Sequence, residues 1–249
     1  MIASERKVYI MNRLNKKGII NLKEIAQELE ISEITVRRDL EGLERAGKLK
    51  RVQGGAARAD VLSGAELTMK EKSSQNMREK IRVAEYAARF VKDGDCVFID
   101  GGTSMVPLID YLGNKQISIM TYNDLLMKKI NKPIVAEVFV VGGRYLPYFG
   151  MNVGQIAQDV LRQFHFNVAF FGCAGVNLGE GICYGTEMES ISMKQIALAN
   201  SDHSYLLIDS SKMEKRGFLR FADISAFDAV ISNRPEGGSA ETSEKLILI

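Results

Sequence analysis

The chain has 249 residues, 46% hydrophobic and 26% charged, a globular composition that excludes a disordered, collagen-like or disulfide-framework protein. No apolar run approaches the ~20 residues of a membrane span, and Met1 to Lys17 carries too many charges for a secretory signal, so a cytoplasmic protein is expected. The net charge of +2 is unevenly divided: residues 1–58 hold 13 Lys/Arg against 8 Asp/Glu, net +5, and the remainder 20 against 23, net −3, which points to a small basic module able to meet a polyanion and a larger, mildly acidic one.

In chain order, Arg6 to Leu14 reads as a helix with Val8, Ile10, Met11 and Leu14 as its apolar stripe, stopped by Lys16-Lys17-Gly18. Ile19 and Ile20 make a short extended piece, and Asn21 caps a second helix, Leu22 to Leu29. After a turn, Ser32 caps a third helix, Glu33 to Ala46, ended by Gly47, in which Val36, Leu40 and Leu43 share one face and Arg38, Glu41 and Arg45 point roughly the other way. Helix, short turn and helix is the geometry that enters a major groove, with Ser32, Thr35, Arg37 and Arg38 as groove candidates. Arginine can bind guanine O6 and N7 bidentately, and hydroxyls can reach bases or phosphates. The segment from Lys48 to Gly55 alternates basic and apolar residues and turns on a glycine pair, a two-stranded wing that would lay Lys48, Lys50 and Arg51 against phosphates. The string from Ile31 to Ala57, ISEITVRRDLEGLERAGKLKRVQGGAA, resembles the recognition helix and wing of the DeoR family of bacterial repressors, departing at Gln53, where that family usually carries His.

These signals set residues 1–57 as a winged helix-turn-helix, 58–77 as a polar linker, 78–235 as a larger α/β domain and 236–249 as a tail. In the larger domain a helix over Glu79 to Val91, with Ile81, Ala84, Ala88 and Val91 as its apolar face, precedes short apolar strands. These are Cys96 to Ile99, Ile117 to Met120, Val138 to Val141, Val168 to Phe171, Tyr205 to Ile208 and Ala229 to Ile231. Buried strands alternating with helices imply a largely parallel sheet with its ligand beyond the strand carboxyl ends. Polar or glycine clusters stand there: Asp100-Gly101-Gly102-Thr103-Ser104, running into a helix with Pro107 in its first turn; Thr121-Tyr122-Asn123; Gly142-Gly143-Arg144; and Asp209-Ser210-Ser211-Lys212. The first reads as an anion site at a helix N-terminus. Thr186 and Glu189 fit a capping box for the helix bearing Lys194, and Glu187 and Lys194, seven apart, share a helix face. Cys96, Cys173 and Cys183 lack metal spacing and read as reduced buried thiols, and His165 and His203 as surface or hydrogen-bonded structural residues.

From about residue 76 to 233 the motifs IDGGTS, TYN, VGGR, FFGCAG and LLIDSSK, in this order, resemble the C-terminal sensor of the DeoR family. The resemblance implies a domain built like ribose-5-phosphate isomerase that binds a phosphorylated sugar. Thr103, Ser104, Gly142, Gly143 and Lys212 would supply phosphate and hydroxyl contacts, with Gly101, Gly102, Asp209 and Ser211 in the same loops and Asp100, Asn123, Arg144, Glu187 and Lys194 as second candidates. The rival reading is an enzyme, a sugar-phosphate isomerase or acyl-CoA transferase relative, because the same fold hosts both. Aldose isomerisation needs a carboxylate base, and where the isomerases carry an acidic Asp-Gly-Ala-Asp-Glu loop this chain has Phe171-Gly172-Cys173-Ala174-Gly175. The expectation is therefore a non-enzymatic repressor of a carbohydrate operon, without metal or cofactor, binding an operator as a homodimer or homotetramer under control of a sugar phosphate.

Overall fold

Apolar residues spaced three and four apart fold Ala3–Lys17 into α1, which buries Ile10 and Leu14, and after β1 (Ile19–Asn21) they form α2 (Leu22–Glu28) and α3 (Glu33–Arg45). The computed structural model describes residues 3–17, 19–45, 48–52, 54–57, 69–217, 219–235 and 244–249, and separates into two units, Met1–Leu67 and Thr68–Ile249. Asn21 caps α2 by accepting from the Lys23 amide at 2.8 Å, and Val36, Leu40 and Leu43 of α3 close on Ile10, Leu14, Ile25 and Leu49 in one core. An ion pair at 2.7 Å between Arg6 and the buried Asp39 ties α1 to α3. Strands β2 (Lys50–Val52) and β3 (Gly55–Ala57) form the wing, and β1 joins it, giving a three-stranded antiparallel sheet in the order β1-β3-β2 rather than the expected two. Gly55 is obligatory there: a Cβ would lie 2.0 Å from the Ile20 carbonyl oxygen. Gly18, Ala46, Gly47 and Gln53 lie outside the described residues.

The second unit opens with α4 (Met69–Ser74) and α5 (Met77–Ala87), the latter continued by a tighter turn, Ala88–Phe90. Then follow β4 (Cys96–Ile99), α6 (Leu108–Leu112), β5 (Ser118–Thr121), α7 (Asp124–Lys129), β6 (Glu137–Val140), the hairpin β7 (Arg144–Leu146) and β8 (Met151–Val153), and α8 (Gln155–Leu161). The chain continues through β9 (Phe166–Phe171), β10 (Gly175–Asn177), β11 (Ile182–Gly185), α9 (Met188–Ala199), β12 (Ser201–Ile208), β13 (Leu219–Asp223), β14 (Ala229–Ser232) and β15 (Leu246–Leu248).

A seven-stranded sheet in the order β15-β14-β12-β9-β4-β5-β6, parallel throughout, carries the unit. Alternate residues serve opposite faces, as the strand period of two requires. Val97, Ile99, Val168, Phe170, Leu207 and Ile231 pack with Val83, Ala87, Leu108 and Leu112 of α5 and α6. Phe98, Ala169, Phe171, Leu206 and Val230 pack with Ala157, Leu161, Met193 and Ala197 of α8 and α9. The α/β class is thus realised as a sheet between helical layers. A small antiparallel sheet, β10-β11-β13, and the β7–β8 hairpin are additions that the sequence reading does not contain. Residues 244–249, read as tail, include edge strand β15, which pairs with β14 and seats Ile247 against the core. Residues 58–68 and 236–243 lie outside the described residues, but the stretch read as linker also holds α4 and the start of α5. Strand order runs one way from β4 to β6 and the other from β9 to β15, so the crevice opens beyond the carboxyl ends of β4 and β9.

Candidate functional site

In the first unit, Arg37 and Arg38 project exposed from α3, and among the described residues neither forms an ion pair. Lys48, at the approach to the wing, is exposed as well. Ser32 caps α3 as the sequence predicts: its hydroxyl accepts from the Thr35 amide at 3.2 Å and lies 2.9 Å from the Thr35 hydroxyl, so the two groove candidates bond each other. Arg51, expected on phosphate, is turned onto α3, pairing with Glu41 and Glu44 at 2.7 Å each, and so fastens the wing to the helix. The Lys50 side chain lies outside the described residues. A concavity lined by Asn21, Lys23, Glu33, Arg37 and Gly55 separates wing from helix.

In the second unit, Asp100 follows β4 and is fully buried. Its carboxylate accepts from the Tyr122 hydroxyl, the Lys194 ammonium and, at 2.9 Å, the Gly172 amide. Lys194 also donates to the Gly172 carbonyl at 2.8 Å and stands 5.2 Å over the Phe221 ring. Burial and the neighbouring Asp100 charge push the Tyr122 phenol well above its ordinary range. Asn123, also fully buried, caps α7 and donates to the Asp100 and Gly102 carbonyls. Asp100, Asn123 and Lys194, expected as ligand contacts, are therefore engaged by internal partners and hold the loops after β4 and β9 together. Glu187 is likewise engaged: it, and not Thr186, caps α9, accepting from the Glu189 and Ser190 amides. Arg144 pairs with Glu189 on an exposed face. Gly143 holds φ +150, and a Cβ there would fall 2.6 Å from the Val153 carbonyl, so packing accounts for this glycine.

What remains open is cationic. Thr103 and Ser104 are buried in the turn after Gly101 and Gly102, the latter at φ +94; α6 starts only at Leu108, with Pro107 as its cap, so no helix begins at this loop. Thr103 receives the Lys80 ammonium at 3.2 Å, and Ser104 receives Lys212 at 3.0 Å. Lys80 is 4% exposed and also donates to the Lys72 carbonyl. Burial first, then the Lys212 and Lys80 charges, lower the Lys72 ammonium to about 8; burial and Lys212 lower Lys80 to about 8 against Asp209 and Glu79. Burial would lift the Asp209 carboxyl, but Lys212, hydrogen bonds from Ser211 and Asn76, and Lys80 hold it below the ordinary range. Asn76, in left-handed conformation at φ +50, reaches both Asp209 at 2.7 Å and the Ser211 hydroxyl at 3.0 Å. Among the described residues neither Lys80 nor Lys212 forms an ion pair.

The sequence reading misses Lys72, which it leaves in the linker, and Lys80. The signal for Lys80 is phase: Lys80, Val83, Ala84 and Ala87 form the buried face of α5, one residue off the face assigned, while Ile81 is 38% exposed. Of the cysteines only Cys183 is buried, with Cys96 and Cys173 half-buried, and burial raises the Cys173 thiol to about 11. His165 lies 2.9 Å from Asp202 on the surface.

Residues 6–61 match the model of the DeoR-like helix-turn-helix domain and residues 75–234 that of the DeoR C terminal sensor domain. The chain is 30% identical to the HTH-type transcriptional regulator FruR of Bacillus subtilis, covering 100% of this chain and 98% of that protein. It is 33% identical to the lactose phosphotransferase system repressor of Streptococcus mutans over 94% of this chain and 93% of that one, and 32% identical to the repressor of the same name from Staphylococcus aureus over 98% and 97%. Ribose 5-phosphate isomerase A of Methanocaldococcus jannaschii aligns with a TM-score of 0.42 at 18% identity, covering 57% of this chain and 56% of that one. The chain belongs to the DeoR family: it is a DNA-binding transcriptional regulator with a sensor domain, and not an enzyme.

Proposed function

We propose that this regulator represses a carbohydrate-uptake operon and that a phosphorylated sugar, held in the sensor crevice, controls its grip on DNA. The observation that carries the ligand is the lysine cluster. Keeping the ammonium of Lys80 charged at 4% exposure with no ion pair among the described residues is unfavourable unless an anion arrives. Lys72, Lys80 and Lys212, with the Thr103 and Ser104 hydroxyls, offer the charge-assisted donors that a phosphate dianion takes. Asp209 and Ser211 hold Asn76 by hydrogen bonds, while the Lys212 charge, which lowers the Asp209 carboxyl, is bonded to Ser104 and left to the anion. The names of the relatives, repressors of a lactose phosphotransferase system, support a sugar as the remainder of the ligand.

On the DNA side, Arg37 and Arg38 enter the major groove of an operator, Lys48 and Lys50 of the wing lie against phosphates, and two protomers or more present recognition helices to half-sites roughly 10 base pairs apart. Such a protein works in the cytoplasm; no described helix is long and apolar enough to cross a membrane. A coupling of about 1–3 kcal/mol between crevice and DNA is enough for regulation. The test is a thermal-shift panel of phosphorylated sugars, the free sugars and inorganic phosphate. A sugar phosphate at 100 times its dissociation constant stabilises the fold by ~2.7 kcal/mol. Stabilisation by the free sugars alone, or none that Lys80→Met abolishes, would overturn this reading.

A further inference from the structure

Two large apolar side chains of the reading unit stand exposed outside its core, Val8 on α1 and Ile34 on α3, and Ile34 is the one on the helix proposed to read DNA. Ile34 is 74% exposed, on the second residue of α3. The core side of α3 is set by Val36, Asp39, Leu40 and Leu43; at about 100° per residue, Ile34 stands on the opposite side. Arg37 and Arg38, three and four positions on, are its neighbours on that face and are exposed too. Tyr9, Met11, Leu29 and Ile31 are the partly buried apolar residues packed on the unit's core, and Ile34 is not among them. A β-branched residue is also a poorer helix former than the Glu or Lys that suit a solvated face. A single exposed apolar residue is commonplace in itself. The distinction of Ile34 is its place beside Arg37 and Arg38, which form no ion pair among the described residues, at the helix end where the Ser32 and Thr35 hydroxyls are occupied with each other.

We propose that Ile34 reads thymine: its side chain closes on the C5 methyl group of a thymine in the major groove, next to the bases met by Arg37 and Arg38. The thymine methyl is the apolar feature that base pairs display in that groove. Every other base edge sets a polar group against the isoleucine and strips its water without a replacement hydrogen bond, so the contact selects as well as attracts. This inference rests on α3 being the DNA-reading helix, as proposed above.

The experiment selects duplexes from a random library with the full-length wild type and with Ile34→Ala, then titrates the recovered duplex with each thymine replaced in turn by deoxyuridine, which lacks only the methyl. The expected result is a loss of about fourfold for the wild type at one thymine per half-site, the worth of one buried methyl, and no loss at that thymine for Ile34→Ala. Ile34→Val, which keeps a branched apolar tip, retains the thymine preference. Because Ile34 is exposed, all variants melt with the wild type, which separates a reading defect from a folding one. Equal deoxyuridine penalties in wild type and Ile34→Ala, or none in the wild type, overturn the assignment to Ile34 while leaving DNA reading intact. Recovery of no enriched duplex by the wild type overturns both.

Discussion

The proposed reading face and the proposed sensor site both carry cations, yet they keep them in opposite ways. Arg37, Arg38 and Lys48 stand exposed in water, where a charge is retained without penalty and salt screens it. Lys80 is buried, and its ammonium, like that of Lys72, is lowered to about 8. An exposed cation meets any phosphate along a duplex. A buried one, in the site proposed above, would accept only an anion that fits between Thr103, Ser104 and the lysines and replaces the lost water. The same contrast governs the carboxylates: Glu41 and Glu44 restrain Arg51 at the surface, whereas Asp100 is enclosed and tightly bound to Lys194 and Tyr122.

The sharpest way to break the comparison is Lys194→Ala, which leaves Asp100 buried without its counter-charge and lowers stability by about 3–5 kcal/mol in a urea melt. A loss below ~1 kcal/mol would mean that Asp100 is not held as a buried ion. Next, Lys80→Met weakens sugar-phosphate affinity by about 1.5–3 kcal/mol, measured calorimetrically, yet melts no earlier than wild type, because the group removed is a buried cation with no ion pair among the described residues. Arg38→Ala, on the exposed side, weakens operator binding by about 1–3 kcal/mol and relaxes discrimination at one base pair, read by titration at fixed salt.

Proton linkage sharpens the contrast further. With Lys72 and Lys80 at about 8 in the empty fold against 10.5 as ordinary lysines, the unfolded chain holds more protons between those values. Stability therefore rises with pH from about 8 to 10.5 in the empty protein, and bound sugar phosphate, which holds both lysines charged, flattens that rise. Sugar-phosphate affinity falls as pH passes about 8. Melting curves and calorimetry across this range read both effects. The smallest change belongs to Arg51→Ala: the slope of log affinity against log salt stays that of the wild type, because this arginine faces Glu41 and Glu44 and not DNA. A drop of one phosphate contact in that slope would return Arg51 to the interface.

Much of this molecule was legible before folding. The period of Val36, Leu40 and Leu43 placed α3 and its outward arginines, and the apolar runs placed β4, β9, β12 and β14 with polar clusters after β4 and β12. Thr103, Ser104 and Lys212 came from such clusters, and the structure brings them together with the cations that the sequence reading left out. Lys72 and Lys80 were hidden because a lysine on a helix reads as solvated surface, and only the packing of α5 on the sheet reveals its phase.

The sequence by itself determined the elements and the chemistry of each loop, because periodicity and turn residues are local. Tertiary structure alone decided which polar groups face each other. Asp100, Asn123, Glu187 and Lys194 look like ligand contacts in one dimension and become internal fastenings in three, since a buried carboxylate or ammonium must find a partner from the fold itself. Lys80 and Lys212, which form no ion pair among the described residues, were singled out by the same requirement.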